Sequence, residues 1–226
     1  MVSVFGSILV GLLMVQTAPA GPPIFQPGAP GTASRVITAT QAVELGRTSF
    51  TEGDVRFMQH MLVHHAQAIE MVELLKTKGS DPVVGRLGQR IGLSQEAEMA
   101  LMRDWLSQRG QSEAMPAMPG MSMPGMTMDH SMHDMAGMGD PDVAPMPGML
   151  TPRQMSALRA ANGVGFDRLF LSGMIQHHQG ALDMVEALLA EHDAAQDPML
   201  SDFTTSVVAD QSSEILRMQS ILSGLQ

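Results

Sequence analysis

A pair of adjacent histidines occurs twice in this 226-residue chain, each time inside the same helical phrase. The first copy carries Met61, His64, His65 and Met71, and the second carries Met174, His177, His178 and Met184. Around them Asp54 and Asp167, Phe57 and Phe170, Ala68 and Ala181, and Glu73 and Glu186 hold the same spacing. Imidazole and thioether are borderline and soft ligands, a set suited to Cu(I), with histidine alone able to hold Cu(II). Zinc would call for more histidine or carboxylate and no methionine. A di-iron carboxylate centre needs Glu-x-x-His on its helices, and that motif is missing here.

A second group of soft ligands lies between the two copies. Met115, Met118, Met121, Met123, Met126 and Met128 recur at two- and three-residue intervals, followed by His130, Met132, His133 and Met135. Pro and Gly interrupt this stretch every few residues, so residues 111–149 read as a disordered Met-rich insertion. A flexible chain can wrap several thioethers around Cu(I) or Ag(I). Inert linkers use Ser, Gly, Pro and charge rather than oxidisable methionine, although an oxidant-scavenging tract is another use for such residues.

The elements that must position the histidines follow from periodicity. Met61, His64, Ala68, Met71 and Leu75 step by three and four, the spacing of a helix seam that faces other helices. Met174, His177, Ala181, Met184 and Leu188 repeat it. His65 and His178 lie about 100° further round each helix. Taken singly, methionine in a seam is ordinary core and histidine there is ordinarily a hydrogen-bonded core residue. The doubling of the whole phrase is what points to metal. Glu70, Glu73, Asp183 and Glu186 read as solvated face.

Each phrase is followed by a second helix. Asp81-Pro82 and Asp197-Pro198 both read as an N-cap followed by the first helical residue. Gln95, Glu98 and Met102 on one helix match Gln211, Glu214 and Met218 on the other, so the duplication covers a helical hairpin. Glu98 and Glu214 are placed to orient the imidazoles from the partner helices, or to serve as plain helix–helix hydrogen bonds. Two such hairpins predict an all-α, four-helix bundle of pseudo-two-fold symmetry. Asp54 is expected to cap the first long helix, which runs to Lys78. The second runs from Pro82 to Gln108, the third from about Gly165 to Glu191. Short helices are expected over 38–48 and from Thr151 to Asn162.

The expected organisation is a signal peptide over 1–20, a linker and short helix over 21–49, the first hairpin over 50–110, the insertion over 111–149, and a short helix with the second hairpin over 150–226. The signal-peptide reading rests on an apolar run too short to span a bilayer, ending at Ala18-Pro-Ala20. It lacks the usual basic n-region, so an uncleaved anchor stays open. A net charge of −10 with no basic cluster argues against nucleic acid. The absence of cysteine excludes disulfides, thiolate metal sites and cysteine nucleophiles. With hydrophobic residues at 44% but aromatics at 4%, the core must be built from Leu, Val, Ala and Met.

The phrases Phe57-x-x-x-Met61-x-x-His64-His65-Ala-Gln-Ala68 and Phe170-x-x-x-Met174-x-x-His177-His178-x-Gly-Ala181, with Gln95-x-x-Glu98 and Gln211-x-x-Glu214, resemble the DUF305 family over residues 50–226. The resemblance implies a ferritin-like four-helix fold and export from the cytoplasm. It also implies copper binding and copper tolerance, with Met61, His64, His65, Met71, Met174, His177, His178 and Met184 as ligands. The insertion resembles Met-rich segments of bacterial copper and silver resistance proteins, which adds Met121, Met123, Met126, Met128, His130, Met132, His133 and Met135.

The reading is therefore an exported, periplasmic or secreted copper-binding protein that sequesters, buffers or passes on the ion without catalysing a reaction. Its partners would be metal ions and a copper exporter or copper oxidase of the envelope, with homo-oligomer formation left open. Two alternatives stand beside it: a copper-dependent oxidase, and a structural or partner-binding bundle whose histidines are core.

Overall fold

The computed structural model describes residues 22–28, 31–45, 49–114 and 140–225. The chain divides into two compact units, Met1–Thr48 and Ser49–Gln226. In the first, strands β1 (Ile24–Gln26) and β2 (Arg35–Ile37) pair antiparallel, with Phe25 opposite Val36, and helix α1 (Ala39–Leu45) follows. The hairpin replaces part of the linker expected there. The chain around Pro22-Pro23 and Gly28 is extended and turning, and the three residues on each side suffice to pair.

The second unit holds α2 (Glu52–Lys78), α3 (Pro82–Gln108), α4 (Pro152–Ala160), α5 (Gly163–Leu189) and α6 (Pro198–Gly224). The four long helices are each 27 residues. They form two antiparallel hairpins, α2–α3 and α5–α6, which meet mainly through α2 and α5. Asp81 and Asp197 cap α3 and α6 with Pro at the first turn, as expected. Asp54 is not the cap of α2. Thr51 takes that place, and the two form a reciprocal capping box in which Asp54 occupies the third helical position. The other oxygen of Asp54 accepts from the Ala195 amide at 2.8 Å. Its repeat mate Asp167 accepts from the Ser80 amide and hydroxyl and the Asp81 amide. The conserved spacing of these acids within the chain thus ties each hairpin to the turn of the other.

The core falls into two apolar clusters. One gathers Ala68, Met71, Val72 and Leu75 with Val84, Leu87, Ile91, Phe166, Phe170, Leu171, Met174, Ile215 and Met218. The other gathers Phe57, Met58, Met61 and Leu62 with Met102, Trp105, Leu106, Ala181, Val185, Leu188, Leu200, Phe203 and Val207. On every long helix the break between the two falls at the same level: around His64–His65, Gln95–Glu98, His177–His178 and Gln211–Glu214.

Candidate metal centre

A single polar layer therefore crosses the middle of the bundle. His64, His65, His177 and His178 are all fully buried in it, and Gln95 and Gln211 are each 1% exposed. The ring centroids of His64 and His177 are 3.8 Å apart across the α2–α5 contact. Each stands 6.3 Å from its sequence neighbour, His65 or His178.

Every one of the four rings has its Nε2 engaged by an oxygen. His64 Nε2–H donates to the Pro147 carbonyl at 3.0 Å and His177 Nε2–H to the His64 carbonyl at 2.8 Å. His65 Nε2–H donates to Glu98 at 2.6 Å and His178 Nε2–H to Glu214 at 2.7 Å. The carboxylates Glu98 and Glu214 are thus the orienting groups, on the outer pair of rings. In a neutral imidazole a donating Nε2 leaves a lone pair on Nδ1. All four Nδ1 atoms are buried and without a hydrogen-bond partner, as are Gln95 Oε1 and both amide atoms of Gln211. Burying a polar atom without a partner costs about 1–3 kcal/mol, so their concentration at one level calls for a physical account.

Burial drives the electrostatics. Desolvation, and then the adjacent His65 and His178 imidazoles, lower the His64 pKa to about 3 against an ordinary 6.5, while the Pro147 hydrogen bond works the other way. Burial likewise holds His177 well below its ordinary value, with His64, His178 and His65 adding to the shift. Both rings are therefore neutral at physiological pH, the form that ligates metal.

The thioethers do not all converge with the rings. Met61 and Met174 are fully buried one helical turn before the paired histidines. They sit on opposite sides of the layer, Met174 in the first cluster and Met61 in the second. Met71 is fully buried on the Met174 side, its methyl carbon 3.2 Å from where a Cβ on Gly173 would stand. Met184 is half-buried beside the second cluster. Of these four thioethers, two lie on either side of the layer. Among the described residues no three His, Asp or Glu side chains are grouped to hold a metal ion. Imidazole Nδ1 in the layer and thioether sulfur in the clusters beside it are donor types that suit a soft monovalent ion. Met121, Met123, Met126, Met128, His130, Met132, His133 and Met135 lie outside the described residues. Glu70, expected in solvent, is partly buried and paired with Arg159 of α4.

Periodicity did not reveal the backbone segment Pro147–Leu150. It lies against α2 and α5 at the level of the histidines, and its carbonyl at Pro147 is the partner of His64. The signal was present in the repeat itself: Gln67 and Gly180 are equivalent positions that differ.

The sequence pattern of the domain of unknown function DUF305 matches residues 54–222. The chain belongs to the DUF305 family. A DUF305 fragment from Deinococcus radiodurans has the same fold, with 30% identity, a TM-score of 0.61, and coverage of 78% of this chain and 99% of that one. A DUF305 protein of Streptomyces coelicolor, described as secreted, is 27% identical at a TM-score of 0.59, covering 76% and 93%. CopM, known in Cu(II)-bound, Cu(I)-bound and Ag-bound forms, is also similar; its Cu(II) form is 28% identical at a TM-score of 0.54, covering 76% and 97%. No curated protein matches the chain. The fold is thus shared with CopM, which is known with copper and silver bound, and among the described residues no helix is long and apolar enough to cross a membrane.

Proposed function

We propose that this DUF305 chain binds copper outside the cytoplasm and sequesters, buffers or hands on the ion, contributing to copper tolerance. Cu(I) is the favoured ion, and Ag(I) is its surrogate. The observation that carries the reading is the buried layer of four imidazoles whose Nε2 atoms are all engaged and whose Nδ1 atoms are all left without a partner. CopM, with a similar fold, is known with copper and silver bound, which supports the same cargo here.

The role is binding rather than catalysis. The ion is the cargo, delivered to or taken from an envelope exporter or oxidase. The apolar start of the chain, read as a signal peptide, supports export. Elemental analysis of protein purified from copper-grown cells should find copper. Cu(I) should also raise the melting temperature, because a ligand that binds only the folded state stabilises it by about 2.7 kcal/mol at one hundred times its Kd. Metal-free protein with an unchanged melting temperature would sink the reading.

A further inference from the structure

Residues 146–149 read Met-Pro-Gly-Met, and they form a turn: the Met149 amide donates to the Met146 carbonyl at 3.2 Å. Pro at the second position and Gly148 at φ +71° in the third are the requirements of a type II turn. Such a turn brings its first and last Cα atoms within about 7 Å, so two thioethers flank it. Met146 is half-buried and Met149 is 2% exposed.

The turn is fastened to the histidine layer on both central helices. Pro147 O accepts from His64. The Gln67 amide makes two bonds to Leu150, donating to its carbonyl at 3.0 Å and accepting from its amide at 2.6 Å. From α5, Gln176 Nε2–H donates to the Met149 carbonyl at 3.1 Å. A Cβ on Gly180 would stand 2.1 Å from Pro147 O and 2.4 Å from Gly148 Cα, so only glycine admits the turn at that point.

The duplication shows that this docking is specific. Gln67 corresponds to Gly180, Val63 to Gln176, and His60 to Gly173, whose absent side chain leaves room for Leu150. The two copies differ where α2 and α5 receive the turn. Leu150 joins the first apolar cluster, whereas Met149, though buried, belongs to neither. A thioether held at the histidine level outside both clusters, one turn from a second thioether nearer solvent, is an arrangement that apolar packing does not ask for.

We propose that Met146 and Met149 are a soft-metal ligand pair through which a monovalent copper or silver ion passes between solvent and the buried imidazole layer, with Met149 as the inner ligand. This rests on the copper reading above and names the residues that serve it.

The test is a titration of the full chain, carrying 13C-methyl methionine, with Ag(I), the methyl signals of Met146 and Met149 being identified from M146L and M149L. Both signals are expected to shift together with those of Met61 and Met174. M149L should weaken Ag(I) binding at the layer on the order of tenfold, the smallest loss that follows removal even of a group that only orients a ligand. Melting in the absence of metal checks that the variant is folded. If Met61 and Met174 respond while Met146 and Met149 stay still, the pair is not a ligand and the proposal falls, with the copper reading intact. If no methyl signal of the bundle moves, the pair is not a ligand and the proposal falls; if Ag(I) also leaves the melting temperature unchanged, the copper reading falls with it.

Discussion

The imidazole centroids of His64 and His177 lie 3.8 Å apart with the ring planes tilted by 40°, and His177 Nε2–H donates to the backbone carbonyl of His64 itself. The second copy of the repeat thus uses the first copy's main chain to set its own ring. His64, whose carbonyl is taken in this way, turns its Nε2 to Pro147 instead. The two inner rings are held by carbonyls and the two outer rings by carboxylates.

That difference predicts different responses to substitution. Replacing His64 or His177 by Leu removes a buried Nδ1 that has no partner in the metal-free protein. The variants should lose Cu(I) in a competition titration with a chromophoric chelator, and melt close to the parent without metal, since relief of the orphaned Nδ1 offsets the lost Nε2–H bond to the Pro147 or His64 carbonyl. A His64→Leu protein that keeps full copper affinity would show that the inner pair is core.

Glu98 and Glu214 act on the outer rings through hydrogen bonds of 2.6 and 2.7 Å. Removing an orienting partner of a ligating histidine typically costs 10–100-fold in metal affinity. Glu98→Ala and Glu214→Ala should each weaken Cu(I) binding by about that factor, read in the same titration, and an unchanged affinity would confine these acids to a structural role.

Acid should destabilise the metal-free bundle in a defined window. Above pH 6.5 His64 and His177 are neutral whether folded or unfolded, and contribute no pH dependence. Below it the unfolded chain takes up protons that the folded protein refuses, since burial lowers His64 to about 3 and His177 well below its ordinary value. Stability should therefore fall as pH drops from 6.5 toward 3, by up to about 1.4 kcal/mol per pH unit for each proton excluded. Urea unfolding at a series of pH values measures the slope, and His177→Leu should reduce it.

Gln211 buries both amide atoms without a partner. Replacing it by Leu should stabilise the metal-free protein by about 1 kcal/mol or more, because an unsatisfied buried amide is removed and apolar contact is gained. Thermal melting reads this directly.

Deleting residues 115–138 takes out most of the thioethers between the two hairpins. The number of Cu(I) ions bound per chain should fall, while the ions held by the layer remain. An unchanged count would remove that segment from the account.

How much of this was legible beforehand differs by element. The 113-residue offset between His64 and His177, with Asp-Pro opening both second helices, specified the hairpins, their duplication and the bundle, because helical periodicity and N-cap chemistry are local. Gln95, Glu98, Gln211 and Glu214 were also placed correctly beside the histidines, since equal hairpin lengths bring equivalent levels together. Other features depend on residues far apart in the chain. Nothing local says that Met71 and Met174 fall on one side of the layer and Met61 and Met184 on the other; the antiparallel crossing of α2 and α5 decides that. Thr51 rather than Asp54 caps α2, and the second oxygen of Asp54 takes the Ala195 amide, 141 residues away, a partner that no local pattern shows. The hydrogen bonding of each Nε2, and with it the freedom of each Nδ1, came from a carbonyl or carboxylate on a different element. The twin histidine pairs were therefore written in the sequence as a candidate set of ligands. Which nitrogen they present, and the Met146–Met149 turn laid against them, exist only where four helices and one loop are brought together.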